Sequence, residues 1–254
     1  QVRDGVRGEI TDGRLETLRL AAIENGLDVQ DPAWPTLPTD PTAYFASGSN
    51  LAVEIKGLAA AGADVGVAVP ELTESGEAEL HALAGDGVLV FVDSGAFSEV
   101  EFSPEAGGFV VTKEITGADW LEILALYRRL AVTLGSQAFL VAPDRVGDQA
   151  VSLERLERYA PQVRELHQLG ARVLVPCQKG ELTLAEYAAQ VDRVLGFTDW
   201  VPSMPCKKAA TTAAEVAAFV EERKPAHVHL LGLGIRNRQG AAYLAPFASE
   251  ATTV

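Results

Sequence analysis

From residue 43 onward the chain repeats one hydrophobic pattern: a short, nearly unbroken apolar run, then a longer stretch in which Ala, Leu and Val recur among Glu and Arg at helical spacing. The apolar runs are AYFASG (43–48), VGVAVP (65–70), VLVFVD (88–93), AFLVAPD (138–144), ARVLVPCQ (171–178), DWVPSM (199–204) and HVHLLGLG (227–234). Short runs without strict alternation predict strands buried on both faces, as in a parallel sheet. Helices are predicted between them. SNLAVEIKGLAAAG (49–62) opens on Ser49 and Asn50 as cap candidates and closes at Gly62, and the segment from Ser152 to Gly170 is a second helix that Pro161 kinks or divides. TLAEYAAQVDRVLG (183–196) and TTAAEVAAFVEERKP (211–225) each begin with a Thr-x-x-Glu start, in which hydroxyl and carboxylate satisfy the first free N–H groups reciprocally.

Strand and helix alternating at this spacing predict repeated βα units around a parallel sheet. Seven units suit a (β/α)8 TIM barrel that wants one more strand. ATTV (251–254) reads as the beginning of that strand, which would continue past Val254. The rival is an open doubly wound sheet, but no GxGxxG turn follows an early strand to support it. Residues 1–42, with the Pro-rich DPAWPTLPTDP (31–41), read as a segment leading into or covering one barrel end, and residues 43–254 as the barrel domain.

Composition narrows the classes. Apolar residues make up 48% and charged residues 22%, and no apolar run approaches the roughly 20 residues that span a bilayer, so no membrane association is expected and the cytoplasm is the default compartment. Gln1 as first residue suggests that the native beginning lies upstream. The two cysteines, Cys177 and Cys206, form neither a disulfide framework nor a CxxC pair and read as buried thiols. A net charge of -14 argues against nonspecific adhesion to nucleic acid, yet positive charge gathers late, at Lys207, Lys208, Arg236 and Arg238.

In a barrel, side chains at the carboxyl ends of the strands face the active-site mouth. Asp93 ends the third run, Asp144 the fourth, Gln178 the fifth, and Gly232 and Gly234 the seventh, so polar groups from several strands would converge there. Each has a plainer reading. Asp93 could be a turn former, Asp144 could be neutralised at the surface by Arg145, Gln178 could be a turn residue beside Gly180, Phe97 could be core, and Lys207 and Lys208 a solvated helix start. His81, His167, His227 and His229 show no metal-ligand spacing and read as structural or surface residues.

VDSGAF (92–97), APD (142–144), VPCQKGE (175–181) and HLLGLG (229–234) occur in the order and spacing of the tRNA-guanine transglycosylase superfamily, which the chain resembles from about residue 43 to its end. Within it, DSGAFSE (93–99), VAPDRVGD (141–148) and PCKKAAT (205–211) look most like the branch that inserts 7-deazaguanines into DNA. The resemblance implies exchange of guanine for a 7-deazaguanine, such as 7-cyano-7-deazaguanine, through a covalent aspartyl intermediate. Asp93 matches the family's proton-transferring carboxylic acid. Asp144, Gln178 and the Gly180 backbone match positions that read the purine edge, Gly232 counts with them among the substrate-binding residues, and Phe97 stands where the family stacks an aromatic ring on the flipped base. Ser94 and Gly95 offer a hydroxyl and close backbone approach. Lys207, Lys208, Arg236 and Arg238 would contact phosphates.

The implied partners are DNA, or tRNA as the alternative, and a free 7-deazaguanine base. Helper proteins that present the duplex, or a second copy in a homodimer, fit such an activity, because flipping a paired guanine costs a few kcal/mol. Two features depart from the family. Nothing matches the three-cysteine, one-histidine zinc site of the tRNA enzymes, so no cofactor or metal is expected, and the family's nucleophilic aspartate would fall just beyond Val254. The chain therefore reads as a transglycosylase whose nucleophile follows Val254, or as the noncatalytic nucleic-acid-binding half of a transglycosylase heterodimer. An unrelated barrel lyase would need a Schiff-base lysine, for which Lys179 and Lys207 are the candidates.

Overall fold

A computed structural model describes residues 45–47, 50–206, 210–233 and 240–247. Seven strands, β1 (Phe45–Ser47), β2 (Asp64–Ala68), β3 (Val90–Asp93), β6 (Ala138–Val141), β7 (Arg172–Pro176), β8 (Val201–Pro205) and β9 (His229–Leu231), pair in parallel in that order. Neighbours in the sheet follow chain order without reversal, which is the winding of a barrel and not of a doubly wound sheet. The helices are α1 (Ala52–Ala60), α2 (Glu74–Ala82), α3 (Gly117–Leu134), α4 (Gln149–Gln168), α5 (Leu184–Leu195), α6 (Ala213–Arg223) and the short α7 (Gly240–Leu244).

The sheet curls on itself. Val90, Val92, Leu140, Ala142, Val173 and Val175 pack outward against the helices, while Phe91, Phe139, Val141, Leu174 and Val201 form a separate inner cluster. Two aromatic residues of the outermost strands meet inside it: the ring of Phe45 on β1 lies 6.0 Å from that of His229 on β9, and both lie against Phe91, at 5.4 and 4.9 Å. The result is a curled parallel half-barrel, and the expected eighth strand at 251–254 and the segment 1–42 lie outside the described residues.

The Thr-x-x-Glu starts form as expected. Thr183 with Glu186 caps α5 and Thr212 with Glu215 caps α6, and Thr116 with Asp119 caps α3 in the same way. Two caps differ from expectation. Leu51, not Asn50, precedes α1; Asn50 instead accepts from the Ala68 N–H at 3.0 Å and donates to Glu71 at 2.7 Å, tying this loop to the end of β2. The second helix starts at Gln149 behind the cap Asp148, and runs through Pro161 as one element. A β-hairpin of β4 (Val100–Ser103) and β5 (Gly108–Val111), to which the sequence pattern assigns no element, is inserted after β3.

Candidate functional site

β3 ends on Asp93, whose Oδ1 accepts the Gly95 N–H at 2.7 Å and so folds the chain sharply away from the strand. Gly95 is required twice over. Its φ is +81°, and a Cβ there would lie 2.3 Å from Pro70 Cγ in the loop after β2. Ser94 is fully buried, and its Oγ accepts the Ala96 N–H at 3.3 Å, so it shapes the turn. One 3-10 turn, Ala96–Glu99, then points two side chains in opposite ways: Phe97 outward, 48% exposed and edge-on to Phe109 of the hairpin, and Glu99 fully inward. Beneath the turn, Tyr127 Oη of α3 donates to the Val92 carbonyl at 3.1 Å.

Asp144 follows β6 and Gln178 follows β7, and both are buried. Gln178 Nε2 donates to Asp144 Oδ2 at 2.9 Å, while its Oε1 accepts the Gly147 N–H at 2.9 Å and its backbone carbonyl accepts from Gln149 Nε2 at 2.9 Å. These bonds fix the amide, so Gln178 is no surface turn residue. Gly180 lets the same loop pass close to α4, since a Cβ there would lie 2.5 Å from Gln149 Cβ. Burial pushes the Asp144 carboxyl up to about 7; the Gln178 hydrogen bond opposes this, the charge of Asp93 adds to it, and Arg155 lowers and Glu99 raises it by smaller amounts. Asp93 and Asp144 therefore feel one another, as two carboxylates of a single site do.

The expected surface pairing of Asp144 with Arg145 does not form. Arg145 is buried and binds Glu99 Oε2 through Nε at 3.2 Å and Glu114 at 3.0 Å. Glu99 is in turn held by Arg155 of α4, with Nη1 to Oε2 at 2.6 Å and Nη2 to Oε1 at 2.8 Å, and by the Ile115 N–H at 2.6 Å. Arg155 Nη1 also donates to the Asp144 carbonyl. Burial alone would raise the Glu99 carboxyl, but the Arg155 and Ile115 hydrogen bonds and the two guanidinium charges outweigh it and hold Glu99 below its usual range. Ser152 completes this junction: its Oγ accepts the Arg145 N–H and donates toward the Arg145 and Asp148 carbonyls.

Glu99 and Arg155 escape the sequence reading, and Arg145 enters it only as a possible surface partner of Asp144. Glu99 sits in a polar stretch that looks solvated. Arg155 left one usable sign: it falls on the α4 stripe of Ser152, Leu156, Tyr159, Val163 and Leu166, all buried, where a charged residue requires a partner.

The remaining candidates are placed elsewhere or not at all. Gly232 follows β9 in a turn with φ +69° and is exposed. Lys207, Lys208, Gly234, Arg236 and Arg238 lie outside the described residues. Lys179 is exposed and pairs with Glu215 at 2.9 Å, a surface ion pair and not a buried amine placed for Schiff-base chemistry. Both cysteines are buried, and burial pushes each thiol up to about 12. A cavity of about 370 Å³ lies at the other end of the sheet, where Arg172, Trp200, Arg223 and His227 precede or begin β7, β8 and β9, and has no part in this site. Among the described residues no group of His, Cys, Asp and Glu could hold a metal ion, and no helix is long and apolar enough to cross a membrane.

No protein-family model matches the chain, and no curated protein matches it in sequence.

Proposed function

We propose that the site exchanges guanine for a 7-deazaguanine in a nucleic acid, DNA being favoured by the sequence motifs. The observation that carries this reading is the buried Asp144–Gln178 pair set beside Asp93 at the ends of neighbouring strands. Gln178 occupies Asp144 Oδ2, which leaves Oδ1 to accept from a donor edge, and the second Nε2 hydrogen of Gln178 can serve an acceptor beside it. Adjacent donors and an acceptor are what guanine and 7-deazaguanines share along N2, N1 and O6. The exposed Phe97 ring offers a face on which an extruded base can stack.

In the proposed reaction the C1'–N9 bond breaks as an attacking carboxylate forms a C1'–O bond, and the electron pair of N9 takes a proton from Asp93. The incoming 7-deazaguanine then gives its N9 proton to Asp93 and displaces the carboxylate from C1', which returns the anomeric configuration to its starting state. We assign the attacking carboxylate to no described residue.

The test is an exchange assay on the full chain with labelled guanine or 7-cyano-7-deazaguanine and, in parallel, duplex DNA, single-stranded DNA and tRNA. Label entering DNA but not tRNA, and lost in Asp93→Asn, is the expected result. Label entering only tRNA selects the RNA substrate. Binding of the free base without any incorporation would overturn exchange and leave a binding subunit.

A further inference from the structure

We infer that Glu99 and Arg155 are positioning residues that clamp the Asp144-bearing loop to the Asp93-bearing loop, an inference that rests on the base-site reading above. Asp93 and Asp144 belong to different βα units, separated by the inserted hairpin and the whole of α3. Backbone pairing of β3 with β6 ends before either carboxylate, with Val92 opposite Leu140, so the sheet alone does not determine how the two loops sit. Glu99 spans the gap. It is six residues after Asp93 on the same turn, and its two carboxylate oxygens receive both terminal nitrogens of Arg155. The same Arg155 holds the carbonyl of Asp144 itself and lies 5.4 Å over the Trp120 ring of α3. Glu99 also accepts the Ile115 N–H, and its carbonyl accepts from Thr112 at 2.8 Å, which anchors the far end of the hairpin to the same point.

The arrangement is costly for a purely structural tie. Two guanidinium groups and a carboxylate are removed from water together, and apolar residues of similar volume would hold two loops at least as firmly. What apolar residues would not provide is a fixed, bidentate geometry between the two loops and a charge pattern around Asp144. Around that carboxyl stand Asp93 from β3, Glu99 from the turn, Tyr127 from α3, Arg155 from α4, Gln178 from β7 and Tyr187 from α5, with Arg145 next in the chain. Of these, Glu99 reaches the Asp144 loop through both Arg145 and Arg155, and Arg155 alone joins the Glu99 carboxylate to the carbonyl of Asp144 itself.

The test follows the Asp144 carboxyl by carbon NMR titration in the full chain, its signal identified by its loss in Asp144→Asn. Glu99→Gln removes a negative neighbour and leaves two guanidinium groups near Asp144, so its midpoint falls by about one pH unit. Arg155→Gln removes the nearest positive charge, so the midpoint rises by about as much. Arg155→Lys keeps the charge and brings the midpoint back to within about half a unit, but cannot restore the bidentate geometry. In the exchange assay all three lose about tenfold or more in kcat with a smaller change in KM for the free base, because misplaced groups cost rate before they cost binding. Should Glu99→Gln fail to fold, Glu99→Asp takes its place, with a loosened clamp and the same loss in kcat. An Asp144 midpoint that stays put in folded Glu99→Gln and Arg155→Gln proteins, or full kcat in Arg155→Lys, would overturn the inference. If the wild type exchanges no base but the opposed shifts of Asp144 appear, the transglycosylase reading falls while the charge coupling of Glu99 and Arg155 to Asp144 remains, and the positioning role falls with the exchange it was to serve.

Discussion

Gln178 donates to Asp144 Oδ2 at 2.9 Å across the ends of two neighbouring strands, and its orientation is fixed because Oε1 is already taken by Gly147. Burial pushes the Asp144 carboxyl up to about 7 against the pull of this bond, far above an unfolded aspartate near 3.9. Between those values the folded protein holds a proton that the unfolded chain has released, so stability falls as pH rises from about 4 to about 7. Asp144→Asn keeps an acceptor for Gln178 and removes the ionisation. Its Tm should match the wild type at pH 4 and exceed it at pH 8, by the equivalent of about 1–3 kcal/mol. Thermal melts at the two pH values decide it, and a difference independent of pH would show that Asp144 is charged throughout.

Gly95 carries both a left-handed backbone and a contact too close for any side chain. Gly95→Ala must adopt φ near +81° and push Pro70 aside from 2.3 Å. The two penalties together are about 2–4 kcal/mol. Urea unfolding should show this loss with an unchanged m value. Pro70→Ala in the Gly95→Ala background should recover part of it by vacating the contact, whereas no recovery would place the whole penalty in the backbone.

These two cases show which parts of the molecule can be read from sequence. The strand ends at Asp93, Asp144 and Gln178 were legible because an apolar run that stops on a polar residue marks a strand terminus, and strand termini in a parallel sheet share one side. Gly95 stands in the sequence as a point of close backbone approach to a base, whereas what the fold shows is its close approach to Pro70 of the neighbouring unit, which no local pattern announces. Glu99 and Arg155 were hidden for a physical reason. A buried ion pair between residues 56 apart leaves no pattern that names the partner: Glu99 alone resembles the solvated charges around it, and the place of Arg155 on the buried stripe of α4 says only that some partner is needed. The hairpin after β3 was missed because Val100–Ser103 and Gly108–Val111 are too short and too exposed to alternate clearly. Asn50 was misplaced as a cap since capping and loop tying use the same side-chain atoms.

Tyr127 reaches 3.1 Å from the Val92 carbonyl, one residue before Asp93, and both groups are buried. Tyr127→Phe removes the donor without opening a cavity. The expected cost is about 1 kcal/mol in chemical denaturation, the net contribution of one buried hydrogen bond. A loss of several kcal/mol would mean that this bond also holds the Asp93 turn in place.

His229 lies inside the curled sheet, stacked on Phe91 at 4.9 Å and facing Phe45 across the gap between the outermost strands. Burial pushes its imidazole down to about 4, because the partly buried ring, packed against Phe45 and Phe91, gives up much of the water that a charge would need. The folded protein therefore keeps His229 neutral at pH values where the unfolded chain, with an imidazole near 6.5, takes up a proton. Stability is fully present above about 6.5 and is lost as pH falls from there toward about 4. His229→Phe retains an aromatic ring of similar size at the stack and removes this titration. The variant should lose less stability than the wild type between pH 6.5 and pH 4.5, by about 1–3 kcal/mol, in denaturant melts compared at the two pH values. Equal acid sensitivity in both proteins would mean that His229 is hydrated in the fold, and that the inner face of the half-barrel admits water between β1 and β9.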